Sequence, residues 1–285
     1  MSSSAVRFLV VGDAHGKWDA TDVAIVQQVA PDALLVVGDL ANQELAIVER
    51  LDVPGVPVHV VLGNHDAWFA SRGGDLADLR RIEAALGPRN LAYSAAPIDG
   101  SDLALVGARP YSWGGRLGDH GRFYADHLQL TDESDSADRI VAAAETVPDR
   151  TLVVVAHNGP TGLGAERHSI YGCDFKSAPE DWGDADLRLA LDGLRDQDRD
   201  VALVVAGHMH HRLRGGGDRT RVTVDRDTVH VNAAVVPRRR RLPDRRIVRH
   251  FVSIDLVDGR VQRVRDVWLD PHAEVAEETE LHHLR

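Results

Sequence analysis

Six short apolar runs limit how this chain can fold: VRFLVV (6–11), ALLVV (33–37), VPVHVVL (56–62), LALVGA (103–108), TLVVVA (151–156) and VALVVA (201–206). Most are continuous rather than alternating, so they call for apolar cover on both faces. Segments with helical spacing lie between several of them, at about 18–30, 41–50, 75–86, 136–146 and 184–196. Strand alternating with helix predicts a largely parallel sheet and an α/β architecture. After residue 210 the pattern changes. RVTVDRDTVHVNAAVV and RHFVSIDLVDGRVQRVRDVWL alternate apolar with polar residues, and Asp258-Gly259 is a hairpin signal. These segments predict antiparallel strands that complete a second sheet or a sheet edge. Residues 111–135 read as a long irregular excursion, the kind of loop that is often functional. No repeat or low-complexity linker interrupts the chain, so residues 1–270 read as a single domain and 271–285 as an acidic tail without a role.

The residues that end these runs carry the chemistry. GDAHG supplies Asp13 and His15, GDLAN supplies Asp39, and GNHD supplies Asn64, His65 and Asp66. HNGPTG supplies His157, and GHMH supplies His208 and His210. In a parallel sheet the carboxyl ends of the strands lie along one edge, where ligand sites form. Carboxylate, carboxamide and imidazole without thiol make an oxygen and nitrogen donor set, suited to Mn, Fe, Zn, Mg or Co. Seven candidates (Asp13, His15, Asp39, Asn64, His157, His208 and His210) exceed the needs of one divalent ion and suit two. Two ions ~3.5–4 Å apart clamp the attacking and leaving oxygens in phosphoryl chemistry.

The ordered series D-x-H, G-D, G-N-H-D, H and G-H-x-H resembles the calcineurin-like metallophosphoesterases, over Asp13 to His210. The resemblance implies an α/β fold in which a sandwich of two mixed β-sheets is flanked by helices. It implies one metal held by Asp13, His15, Asp39 and His210, and another held by Asp39, Asn64, His157 and His208, with Asp39 bridging. It implies His65 as the catalytic histidine facing the leaving-group oxygen. The expected activity is hydrolysis of phosphate mono- or diesters by in-line attack of a metal-bridging hydroxide, with manganese favoured. The segment HNGPTGLG…YGCDFK…DWGDADL also resembles a bacterial and plant-plastid branch of the superfamily. The Ser/Thr protein phosphatases differ: they continue G-D with valine, aspartate and arginine and follow G-N-H with glutamate, where this chain has GDLAN and GNHD. Alternatives are a small-nucleotide or cyclic-nucleotide phosphodiesterase, a nuclease, or a non-catalytic scaffold with this fold; the intact donor set and His65 weigh against the scaffold.

Composition narrows the partners. The net charge of −11 repels nucleic-acid phosphates, so a small phosphorylated substrate is the expected partner. The 44% hydrophobic content supplies a sizeable core over 285 residues. One cysteine, Cys173, excludes an intrachain disulfide and has no base beside it in sequence. No apolar run approaches the ~20 residues that span a bilayer, and the N-terminus lacks a signal-like core. A cytoplasmic protein without membrane contact is the expectation, and nothing in the sequence speaks to its oligomeric state.

Other residues carry weaker expectations. Arg109, Tyr111 and Trp113 in ARPYSWGG are candidate substrate contacts, with Arg109 gripping a phosphate and an aromatic stacking on a ring. The six arginines of PRRRRLPDRR (237–246) read as a solvated loop, with a phosphate-rich partner as the alternative. Asp66 is expected to orient a loop or to back His65. His208 and His210 share a face of an extended chain, so His211 is expected to point away. His59 reads as structural, and His120, His127 and His168 as surface or pocket residues.

Overall fold

The computed structural model describes residues 5–284. Its first half runs β1 (Ala5–Val11), α1 (Ala20–Val29), β2 (Ala33–Val36), α2 (Leu45–Glu49), β3 (Val58–Val60), α3 (Leu76–Leu86), β4 (Ala95–Pro97), β5 (Leu103–Gly107), α4 (Gly121–Leu128) and α5 (Glu133–Glu145). The second half runs β6 (Thr151–Val155), α6 (Ala185–Asp196), β7 (Val201–Ala206), β8 (Val222–Asp225), β9 (Thr228–Asn232), β10 (Arg239–Arg241), β11 (Ile247–Val257), β12 (Arg260–Leu269) and β13 (Val275–His283). One sheet has the order β13-β12-β11-β1-β2-β3, with β10 on β11; the other has the order β4-β5-β6-β7-β9-β8. Strands β1 to β3 are parallel, as are β5, β6, β7 and β9, and the remaining pairings are antiparallel. Both sheets are therefore mixed, and helices flank the sandwich.

The continuous apolar runs are explained by this layering. Phe8, Val10, Leu35 and Val37 face Leu105, Val153, Val155, Leu203 and Val205 between the sheets. Their neighbours Leu9, Val11, Leu34 and Val36 pack in the core with Ile25, Val26, Leu79 and Ile82 of α1 and α3. Val106, Leu152, Val154 and Val204 do the same with Ile140 of α5 and Leu187 and Leu191 of α6. Burying each such side chain contributes roughly 1.5–3 kcal/mol, so neither face of these strands can be polar.

Several expectations change. The 41–50 helix shrinks to Leu45–Glu49 because Asp66 accepts the Leu40 and Ala41 N–H groups and holds that chain in a turn. The 56–62 run yields only Val58–Val60, following Pro54 and Pro57. The 111–135 excursion is not irregular throughout: it contains α4 and the start of α5. Val275–His283, within the segment set apart above as an acidic tail, pairs antiparallel with β12. Its glutamates are fixed across the sheet by Arg240–Glu277, Arg265–Glu278 and Arg263–Glu280 ion pairs, so it carries no strong apolar pattern. The arginine run is only in part a solvated loop: Arg239–Arg241 is a strand, while Arg241 and residues 243–246 are exposed. Arg238 is buried against Asp22 at 2.7 Å, Arg239 reaches Asp22 at 2.8 Å, and Arg246 reaches Asp244 at 2.8 Å. The Asp258-Gly259 turn is present, with both φ angles positive (49° and 76°).

His230 in β9 is fully buried, and among the described residues neither ring nitrogen has a hydrogen-bond partner. Burial depresses its pKa to about 4. An unfolded histidine titrates near 6.5, so between these values the unfolded chain binds the extra proton and stability falls with pH, by on the order of 2–3 kcal/mol. Urea titrations at pH 7 and pH 4.5 should show this loss, and His230→Leu should reduce it. An unchanged pH dependence in that variant would contradict the assignment.

Candidate metal centre

Asp13 and His15 follow β1, Asp39 follows β2, His65 lies past β3, His157 follows β6, and His208 and His210 follow β7. Glycine makes their convergence possible. A Cβ at Gly38 would strike the His157 ring, one at Gly63 would strike Asp39 and His157, and one at Gly207 would strike the Asp13 carboxylate. Each of these glycines therefore packs against a site residue from another motif. Four site residues adopt left-handed backbone: Asp13 (φ 50°), His15 (φ 44°), Asp39 (φ 49°) and His208 (φ 65°). Such conformations cost about 1–3 kcal/mol each and gather where function requires them.

Three overlapping donor groups result: Asp13, His15 and His210; His15, Asp39 and His65; and Asp39, His157 and His208, each with its donor atoms within 4.8 Å of one another. His157 Nδ1 donates to the Val37 carbonyl (2.8 Å) and His208 Nε2 to the Trp113 carbonyl (3.1 Å). With both rings neutral, that assignment leaves His157 Nε2 and His208 Nδ1 as facing lone pairs 3.2 Å apart. Asn64 Oδ1, assigned as the carbonyl end, lies 3.0 Å from each. Three acceptors thus face one another with no proton between them. Asp39 Oδ1 is 3.4 Å from His157 Nε2, while Asp39 Oδ2 is 3.9 Å from His15 Nε2. His15 Nε2 is 3.4 Å from His210 Nε2, which is 3.5 Å from Asp13 Oδ1. Asp13 Oδ1 is buried and has no hydrogen-bond partner.

The protonation states follow from burial. Burial, with the charges of Asp13 and Asp66, pushes the Asp39 carboxyl well above the usual carboxylate range. Burial would raise Asp13 too, but its contact with His210 and the neighbouring imidazoles hold it down at about 2. Burial lowers His15 and lowers His208 further, keeping these rings neutral. Burial also acts to lower His210, but Asp13 outweighs it and raises the ring. Asp66 lies outside the cluster. It accepts from the N–H groups of Leu40 (3.2 Å), Ala41 (2.8 Å) and Gly63 (2.9 Å), tying together the chains that carry Asp39 and Asn64.

A cavity of about 400 Å³ opens over this cluster, lined in part by His65, Trp68, Trp113, His120, Trp182, Arg212 and Arg214. Of the candidate substrate contacts, only Trp113 lines it, stacked on His120 with ring centroids 4.1 Å apart. Arg109 is buried and grips Asp186 (2.7 and 3.2 Å) and Asp184 (3.2 Å). Tyr111 is buried and donates to Glu83 at 2.6 Å. Both acids that hold Arg109 lie more than seventy residues away in sequence, at the start of α6. His211 points elsewhere, with Nδ1 accepting from the Val236 N–H at 3.3 Å. His208 and His210 do share the site, but the positive φ of His208 brings them together, not an extended chain. His127 pairs with Glu83 at 2.9 Å, and Cys173 is buried. Trp68, which stacks on His65 at 5.0 Å, carries no motif signal in the sequence, and Trp182 lies within the DWGDADL segment, to which no site role attaches in sequence.

The family model of the calcineurin-like phosphoesterases matches residues 6–212. The chain belongs to this family. A search of curated proteins finds no match. Solved structures similar to this phosphoesterase include sulfate thiohydrolase SoxB of Thermus thermophilus (TM-score 0.48, 14% identity, 96% of this chain and 58% of that one). Purple acid phosphatase from yellow lupin seeds is another (TM-score 0.47, 15% identity, 98% and 54%), so the chain spans about half the lupin protein's length. A third is GAP50 of Plasmodium, described as the anchor in the inner membrane complex (TM-score 0.47, 14% identity, 99% and 90%).

The placement of Arg109 predicts a purely structural phenotype. Arg109→Ala leaves Asp184 and Asp186 unpaired in the interior and should cost about 3–5 kcal/mol. Thermal melting reads this directly. A variant with wild-type melting but a raised KM for phosphoesters would restore Arg109 as a substrate contact.

Proposed function

We propose that this phosphoesterase is a dinuclear enzyme that hydrolyses phosphate mono- or diesters. The observation that carries the reading is the set of acceptors that neutral rings present at His157, His208 and Asn64, next to the buried Oδ1 of Asp13, which faces His210 at 3.5 Å without a hydrogen bond. Acceptors packed this closely repel one another unless a cation lies among them. The donors are oxygen and nitrogen throughout, which fits hard or borderline divalent ions, with Mn²⁺ favoured. Asp13, His15, Asp39 and His210 would hold one ion, and Asp39, Asn64, His157 and His208 the other. Asp39 suits the shared position because its two oxygens face different imidazoles.

When bound, two such ions neutralise phosphate charge and lower the pKa of water for attack on phosphorus. The chain's own residues position and protonate. The Val37 and Trp113 carbonyls fix the tautomers of His157 and His208. His65 has 42% of its side chain exposed and is braced by Trp68, so it can reach a substrate in the cavity. It would donate a ring proton to the leaving alkoxide. The cavity takes a small organic phosphate. Four of the six arginines of the 237–246 run are committed to carboxylates, which leaves little of it for a long polyanion, and among the described residues no helix is long and apolar enough to cross a membrane.

Purified protein treated with EDTA and then given Mn²⁺ should regain hydrolysis of an aryl phosphomonoester or bis-aryl phosphodiester. Loss of partners that merely orient a metal ligand costs ~10–100-fold in affinity or activity, so Asp39→Asn and His208→Ala should each cost at least that much. His65→Ala should lower kcat while metal binding is retained. Activity that survives both chelation and Asp39→Asn would refute the proposal.

A further inference from the structure

The segment after His210 builds a feature for which the metal centre has no use. His211 to Arg219 forms a small hairpin: Arg219 N–H donates to the His211 carbonyl (2.7 Å), the Arg212 and Asp218 backbones pair as an antiparallel β-bridge, and Leu213 N–H donates to the Gly217 carbonyl (3.1 Å). Gly216 and Gly217, with φ of 91° and 85°, allow the tight tip. Buried Arg219 anchors the base. It donates to the carbonyls of His210, Arg167 and Ser169, each at 3.0 Å, and to that of Gly172, and it pairs with Asp174 at 3.2 Å. The hairpin is therefore fixed to the chain that carries His210.

Alternation along the hairpin arm separates Arg212 from His211 and Leu213. Arg212 and, from the tip, Arg214 line the cavity over the metal centre. Both are exposed, and neither guanidinium has an ion pair among the described residues. Most other arginines of this acidic chain pair with carboxylates. Asp174, an acid in the cavity wall, is committed to Arg219 and to the Arg214 backbone N–H (2.7 Å). Arg214 lies over the Phe175 ring at 5.4 Å, which limits its range. The family match ends at residue 212, so the hairpin lies almost wholly beyond it.

We propose that Arg212 and Arg214 form a second anion subsite, which selects phosphoesters bearing a further phosphoryl group beside the scissile one. The inference rests on the phosphoesterase reading above. Fork-shaped guanidinium donors match phosphate oxygens, and two unpaired ones beside a dication centre favour a ligand with two adjacent phosphoryl groups over a ligand with one.

The test is calorimetric binding to the full-length, Mn²⁺-loaded protein, with methylenediphosphonate and methylphosphonate as probes that cannot be hydrolysed. Wild type should bind the diphosphonate at least tenfold more tightly. The Arg212→Ala/Arg214→Ala double variant should lose that preference, and the corresponding double lysine variant should restore part of it. Arg260→Ala, at the distant β11–β12 turn, should keep the wild-type preference. Melting curves verify that the exposed substitutions leave the fold intact. A wild type without the preference, or a double alanine variant that keeps it, overturns the subsite. Failure of methylphosphonate to bind in a metal-dependent manner overturns the phosphoesterase reading, and the subsite with it.

Discussion

Lone pairs that face one another without protons are the constraint on which this molecule turns. His157 Nε2, His208 Nδ1 and Asn64 Oδ1 meet within 3.0–3.2 Å, and the carbonyls of Val37 and Trp113 take the one ring N–H that each neutral imidazole carries. Asp39 lies at 3.4 Å, buried beside the charges of Asp13 and Asp66. A folded chain holds so repulsive a set only if the surrounding structure over-determines it. The two-sheet core does so, and the expected compensation is positive charge.

Much of the fold serves that requirement. Parallel strands β1, β2, β6 and β7 deliver their carboxyl ends to one edge, in both sheets. Glycines at the turns let the motifs pack against one another: Gly38 on His157, Gly63 on Asp39, Gly207 on Asp13. Asp66 converts three backbone N–H groups into a clamp between the Asp39 and Asn64 chains. Arg109 plays the corresponding part further out, where it ties β5 to the start of α6 through Asp184 and Asp186.

The sequence made the fold class and the donor set legible because each depends on local pattern. Apolar runs with both faces covered stay continuous, and chemistry-bearing residues at strand ends stay close to those runs. What depends on distant partners stayed hidden. Nothing near Arg109 announces two acids more than seventy residues away, so a buried clamp resembled a phosphate contact. The β13 strand escaped notice because an edge strand held by cross-strand ion pairs needs little apolar pattern. His208 and His210 line one cavity because of φ 65° at His208, not through the strand alternation that the sequence suggests. Arg212 and Arg214 went unread because the motif stops at His210, while the hairpin that displays them is stitched together by backbone bonds and by Arg219.

The central claim is that the unprotonated acceptors hold divalent cations. Metal analysis of the chain after equilibration with Mn²⁺ and removal of free metal tests it most directly. The account predicts about two ions per chain, as a paired-metal site requires, with a lower content in His208→Ala and a larger loss in Asp39→Asn, the proposed shared ligand. Wild-type protein that retains no divalent metal, or an Asp39→Asn variant that retains the full content, would contradict it.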